Sequence, residues 1–465
     1  MNEPLRPRIG VLPLMLELYR ESYPALEEKQ QPFVQQVSET IGRSSDVIIA
    51  PVSANSREVR SAVKKFEAED ADGIVILFIA YATSISALNP LLETSLPLLL
   101  FSTAPRSSMG NGMSSQDINL NHGVHGYMDL ANVLKRNRRR YRFVSGTKDD
   151  TRAIQDIELW ARAAAVKKRL KRSVIGLAGY TFDGMGDFGV DTTLLNTTLG
   201  PEVRHIPLNK LAESIESIGE KELEEETRSD SQRFGFEKNV DADILNESNR
   251  VYLGFSRIVD SISLNALTMH FQGILEHPGI KTLPFLAISK LQEQGLAYAG
   301  EGDLLGAAGN LMIRYLCGDT VFTETFCPDY DGGRIVMGHM GESNPVFGVK
   351  TTLKRKIFRF GKAVDPVVAD VCMKEGTATV VNLGIVEDNA FQLITYTGRI
   401  CEKIPDAGDI DMPYFHFKPD MELPDFLTAY GMAGGTHHIA MTSGNRKKEI
   451  RQLAEILGIR CIDIS

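Results

Sequence analysis

Two glutamates and two histidines of this chain stand in contexts that suit a divalent cation. Glu301 lies in GLAYAGEGDLLGAAG, Glu324 in VFTETF, His339 in RIVMGHMGESNP, and the neighbours His437 and His438 in AGGTHHIAMTSG. Two carboxylates and two imidazoles are the donors of an octahedral Mn²⁺ or Co²⁺ site, with cis positions left for a ligand's oxygens. Each residue also has a plainer reading. Glu301 and Asp303 can cap the helix that follows them, and His339 can be a hydrogen-bonded core histidine. Glu324 shares its strand face with Phe322 and Phe326, where a carboxylate is costly unless paired or metal-bound. Adjacent histidines are unusual in a chain with only nine. Neighbours on a strand face opposite ways, so one of the pair is expected on the metal and the other beside the site or facing a substrate. A further pair, His122 and His125 in DINLNHGVHGYMD, reads by itself as a polar turn.

The elements that must position these residues follow from apolar patterning. In the first third, RIGVLPLM, DVIIAPV, GIVILFIAY, LPLLLFS and YRFVSG read as buried parallel strands. They alternate with amphipathic helices, which implies a doubly wound α/β layer. A second such unit begins at RSVIGLAGYTFDGMGD and runs to the helix EGDLLGAAGNLMIRYL, which would place Glu301 at a strand-to-helix turn, where open α/β sheets bind ligands. Within it, residues 218–250 are polar and acidic, and read as an exposed helix and loop. The last third alternates apolar with polar residues, as antiparallel strands do. The fold class is therefore α/β, two Rossmann-like parallel-sheet domains followed by a mainly antiparallel β domain. The expected bounds are 1–170, 171–320 carrying Glu301, and 321–465 carrying Glu324, His339 and His438.

Composition narrows the function classes. At 465 residues two or three domains are expected. A net charge of −9 argues against nucleic-acid or anionic-membrane partners, both of which need a basic face. The one basic run, KRNRRRYR at 135–142, reads as a solvated helix end or a subunit contact. Five cysteines without a CxxC pair suit a reducing compartment. The opening MNEPLRPRIGVLPLM lacks the pattern of a secretion signal, and the apolar runs are too short to span a bilayer. A cytoplasmic protein is expected.

Taken together and in order, these segments resemble the L-arabinose isomerase family, within the group that includes L-fucose isomerase. GLAYAGEGD is similar to its GEGD metal motif, VFTETF to its second-glutamate motif, VMGHMGESNP to GxHMLE, and AGGTHHIAMT to AGGxHHT, whose second histidine is the ligand. The resemblance thus implies metal ligation by Glu301, Glu324, His339 and His438, most simply of Mn²⁺, with Co²⁺ or Mg²⁺ as alternatives. INLNHGVHG is similar to a segment whose histidine faces the sugar, which implies that role for His125. Met185 and Phe271 match positions near the sugar, and His437 is a fourth candidate contact. The resemblance further implies a monosaccharide substrate and a homo-oligomer, most simply a hexamer, whose active sites lie at subunit interfaces. The implied activity is aldose–ketose isomerisation, with proton transfer between C1 and C2 through an enediol(ate) and Glu301 and Glu324 as the catalytic pair. The alternatives are another metal-dependent sugar enzyme such as an epimerase, or a non-catalytic sugar-binding homologue. The chain is a divergent member. It lacks the early Ser-Gln-His run, carries FSTAPRSSMG in place of an HTQFN-like segment, and has Gly341 where GxHMLE has leucine. Leu16, Glu17 and Arg106 lie in the changed wall and are candidates for setting specificity.

Overall fold

A computed structural model describes residues 5–111, 113–358, 364–402, 410 and 412–465. The first residues of the opening segment read for a secretion signal, 1–4, lie outside that set, as does the end of the expected strand at 403. Contacts divide the chain into two compact units, Pro4–Lys168 and Arg169–Ser465.

The N-terminal unit is built on five strands, β1 (Arg8–Leu14), β2 (Asp46–Ile49), β3 (Gly73–Phe78), β4 (Leu98–Ser102) and β5 (Arg142–Ser145). They are parallel and run in the order β2-β1-β3-β4-β5. All five expected strands are present. β3 is buried at every residue, because helices cover both faces of a parallel sheet and leave no solvent side to alternate with. One of these helices, Ser56–Ala68, starts where the Asn55 side chain accepts from the Glu58 amide, satisfying a free helix-end donor. The basic run ends another, Gly123–Arg136, and its Arg139 donates to the carbonyls of Leu91 and Leu96.

The second unit contains a four-stranded parallel sheet and a β domain. β6 (Val174–Ala178) and β7 (Glu202–Ile206) come first, then the short β8 (Gly235–Phe236), then β9 (Ala266–Met269) and β10 (Ala297–Ala299). The sheet order is β10-β9-β6-β7. The acidic stretch 218–250 contains the expected, largely exposed helix and loop, with a second helix and a buried ion cluster that were not expected. It holds the helix Glu220–Arg233 and part of Ala242–Ser261, and Asp230 is fully buried against the buried Lys290 ammonium at 2.8 Å. Glu226 pairs with the same ammonium. Apolar/polar patterning does not reveal a buried ion cluster, since its charges look like a solvated face.

The β domain comprises β11 (Val321–Asp329), β12 (Arg334–Gly338), β13 (Gly348–Arg355), β14 (Val367–Met373), β15 (Gly376–Ile385), β16 (Phe391–Cys401), β17 (Tyr414–Pro419), β18 (His438–Ser443) and β19 (Arg460–Ile464). Six strands follow one another as β15-β18-β11-β12-β17-β16, and β15 also pairs with β16, so the antiparallel sheet closes on itself as a barrel. β19 adds to β16 in parallel. The barrel core includes Ile335, Met337, Tyr396, Phe417 and Met441. β8, β13 and β14 form a small separate sheet. Among the described residues no helix is long and apolar enough to cross a membrane.

Candidate metal centre

Glu301 sits where β10 gives way to the helix Leu304–Cys317. Its backbone is left-handed, with φ 61°, a conformation uncommon outside glycine and found where surrounding structure enforces it. Its glycine neighbours are required by close approach. A Cβ on Gly302 would lie 2.3 Å from the Tyr180 carbonyl oxygen, and one on Gly300 would lie 2.8 Å from the His339 ring.

Barrel register brings the other residues to this turn. In β11, Glu324 pairs with Gly338 on one side and His438 on the other. The ladder shifts between Thr325 and Cys327, so the bulged Phe326 breaks the alternation expected beyond Glu324. His339 follows the last residue of β12. Glu301, His339 and His438 offer ligand atoms within 4.8 Å of one another, and so do Glu324, His437 and His438. The strand begins only at His438, so alternation does not separate the histidines as expected, and their rings lie 4.4 Å apart.

Each histidine is oriented by a carboxylate. His339 Nδ1 lies 2.7 Å from Glu342 Oε2, and Glu342 Oε1 accepts from the Tyr298 hydroxyl at 2.6 Å. His438 Nδ1 lies 3.1 Å from Asp303 Oδ2, and His437 Nδ1 lies 2.8 Å from Asp187 Oδ2. Phe188 stacks on the His438 ring at 4.7 Å, and Phe322 meets it edge-on at 4.8 Å. Asp303 does cap the helix, its Oδ1 accepting from the Gly306 amide. Capping and orienting His438 are thus shared between the two oxygens of one carboxylate.

Burial sets the protonation. It raises Glu301 and Glu324 above the usual carboxylate range, and takes Asp303 up to about 7 against its backbone hydrogen bonds. Burial would lower His339, but Glu342, with Glu324 and Glu301 beyond it, carries it up to about 9. Burial would likewise raise Glu342, yet the His339 imidazolium and the Tyr298 hydroxyl hold it below the usual range. His438 is pushed well below 6.5, first by burial and then by the neighbouring histidines.

His438 Nε2 tests whether these residues fit a cation. It is buried and has no hydrogen-bond partner, and it lies 3.7 Å from both Glu301 Oε2 and Glu324 Oε2. A neutral imidazole whose Nδ1–H is held by a carboxylate presents its Nε2 lone pair for coordination, the usual support of a ligating histidine. Glu301, His339 and His438 therefore form a His/Glu triad suited to a divalent metal.

The remaining candidates are placed as follows. Phe271 lines a cavity that also meets Glu301 and His339. Met185 precedes the short turn Gly186–Phe188 that carries Asp187 and Phe188. His125 belongs to the N-terminal unit, in the first turn of the helix Gly123–Arg136, with its Nδ1 2.7 Å from His122 Nε2. In the same unit Glu17 accepts from Asn55, and Arg106 pairs with Asp117. Sequence reasoning missed three orienting groups, Glu342, Tyr298 and Asp187. The His-x-x-Glu spacing of 339 and 342 was a usable signal for the first. Nothing local marked Asp187, 250 residues from its partner. Gly341 is also accounted for, since a Cβ there would lie 2.3 Å from the Phe285 ring. The departure from leucine makes room for that phenylalanine.

Comparison with known proteins matches three domain models along the chain. They are the L-arabinose isomerase N-terminal domain at residues 17–172, its central domain at 189–317 and its C-terminal domain at 319–460. L-arabinose isomerase of Shouchella clausii is 24% identical over 436 residues, covering 90% of this chain and 87% of that protein. The Salmonella arizonae enzyme is 25% identical over 432 residues, covering 88% and 84%. A solved Actinobacillus succinogenes ABC-transporter solute-binding protein with bound D-allose matches at 14% identity, over 62% of this chain and 83% of that one. Its TM-score of 0.17 is too low to carry an argument. Three domain models in order along nearly the whole chain place this protein in the L-arabinose isomerase family, as an aldose–ketose isomerase and a distant homologue of the enzymes it matches.

Proposed function

We propose that this protein interconverts an aldose and its ketose by moving a proton between C1 and C2 through an enediol(ate), with Glu301 and Glu324 as the acid/base pair. Glu301, Glu324, His339 and His438 would hold a divalent cation, most simply Mn²⁺, with Co²⁺ or Mg²⁺ as alternatives. When bound, it would supply positive charge beside the sugar's neighbouring oxygens, which acidifies the C–H to be broken. One glutamate removes the C2 proton of the open-chain aldose and returns it to C1. The other carries the proton between the two oxygens. Both carboxylates are raised by burial, which makes them stronger bases than exposed ones. His437, held at Nδ1 by Asp187, would contact the sugar together with Phe271 and Met185.

The reading extends to a cytoplasmic homo-oligomer, most simply a hexamer with active sites at subunit interfaces, in which another subunit supplies His125 for ring opening. It also keeps the three-domain division at 1–170, 171–320 and 321–465. The observation that carries the proposal is the buried, unpartnered Nε2 of His438 between two glutamate carboxylates. The test is ketose formation by EDTA-stripped protein with and without added Mn²⁺, on aldopentoses, aldohexoses and 6-deoxy sugars. Metal-restored ketose formation is expected. An epimerised aldose as product, or turnover indifferent to metal, would overturn the proposal.

A further inference from the structure

The cavity that opens onto the triad is unlike a site built for hydroxyl groups. It encloses about 480 Å³ and meets Glu301 and His339 at the metal-binding end. The rest of its wall is mostly apolar, with Phe182, Met269, Phe271, Leu275, Phe285, Met340 and Phe358. The polar lining is otherwise committed or at the rim. The Tyr298 hydroxyl and the Glu342 carboxylate are taken up by each other and by His339, while Gln272 and Glu276 are solvent-exposed. Phe285 occupies its place in the wall because residue 341 has no side chain.

Resting on the isomerase reading, we infer that this wall receives the end of the sugar remote from the reacting carbons, and that this end is apolar, a deoxygenated methyl terminus rather than a hydroxymethyl group. A terminal hydroxyl carried among Phe271, Leu275, Phe285 and Phe358 loses its water and meets apolar side chains, since the free polar groups of the lining, Gln272 and Glu276, stand exposed at the rim, which costs affinity. A methyl group there displaces water and touches aromatic carbon.

The test is calorimetric titration of the full chain, loaded with Mn²⁺, with alditol pairs that differ only at the terminal carbon. Galactitol, which is meso, against D- and L-6-deoxygalactitol, and D- and L-mannitol against the matching 6-deoxymannitol, need no turnover. About ten- to a hundredfold tighter binding of the deoxy member is expected in at least one series. Leu275→Gln, which places an amide on the wall, should shrink that ratio severalfold. Equal binding of the pair, tighter binding of the hydroxymethyl member, or binding of neither would overturn the inference, as would a ratio unmoved by Leu275→Gln. Ketose formation from the matching aldoses separates the two readings. Turnover without a deoxy preference sinks the inference alone, whereas preferential binding without ketose formation sinks the isomerase step and leaves the cavity assignment standing.

Discussion

Removing the Glu342 charge tests how the centre is held. Glu342 carries the His339 imidazole up to about 9, so at pH 7 it should hold a proton that an incoming metal must displace. The sign follows directly. A raised pKa favours the protonated, non-ligating form below pH 9, so apparent metal affinity should rise with pH and level off above it. The two pH units between 7 and 9 amount to about a hundredfold, or ~2.7 kcal/mol. Glu342→Gln keeps the side-chain shape and an acceptor for Tyr298 but removes the leading upward influence on His339. The variant should therefore lose most of the proton competition. It should also lose the orienting carboxylate, worth about 10–100-fold in metal affinity. The two effects oppose each other at pH 7 and separate at pH 9.5. Mn²⁺ titrations under anaerobic conditions across pH 6.5–9.5 should show about one decade of affinity per pH unit for the wild type between 7 and 9. The variant's slope should be clearly shallower, with affinities close at pH 7 and about 10–100-fold apart at 9.5. Parallel lines, or a wild type indifferent to pH over this range, would refute the reasoning.

Three further outcomes are expected. Glu301→Gln and Glu324→Gln should each lower kcat by about 10²–10⁴-fold with unchanged far-UV circular dichroism and Tm, and substantial turnover in both would remove them from the mechanism. Asp303→Asn keeps a good helix cap, so Tm should barely move. Metal affinity should fall about 10–100-fold as His438 loses its carboxylate, and a large Tm loss with intact metal binding would reverse the assignment of roles. Lys290→Met strands the buried Asp230 and should cost about 3–5 kcal/mol in urea denaturation, most of it recovered by adding Asp230→Leu. A small loss in the single variant would show that the cluster is not an electrostatic unit.

Much of the architecture was legible in the chain. Fully apolar, strand-length runs such as GIVILF read as interior strands of a parallel sheet, and β3 is one, buried at every residue. The GEGD turn was legible as a strand-to-helix turn where open α/β sheets bind ligands, but its carboxylates suited a helix cap equally well, and Asp303 does serve as one. Alternation also marked the last third as antiparallel. Burial periodicity is a local property, so element type can be read locally. Which strands become neighbours cannot be read that way. Closure of the barrel by β15 and β16, and the register that sets Glu324 opposite His438, depend on the pairing of distant segments. The same limit explains the site. Donor types were visible, but the groups that aim them come from afar, Asp303 reaching His438 across 135 residues and Asp187 reaching His437 across 250. Whether both neighbouring histidines could face one carboxylate turned on where β18 begins. Lys290, Glu226 and Asp230 show the reverse case, a charge-rich helix that looks solvated until tertiary packing buries opposite charges together. The sequence by itself determined the strands, helices and donor residues, because those follow from local periodicity and residue chemistry. Only the tertiary structure decided which nitrogen faces which oxygen, because that depends on long-range register and on the burial that register creates.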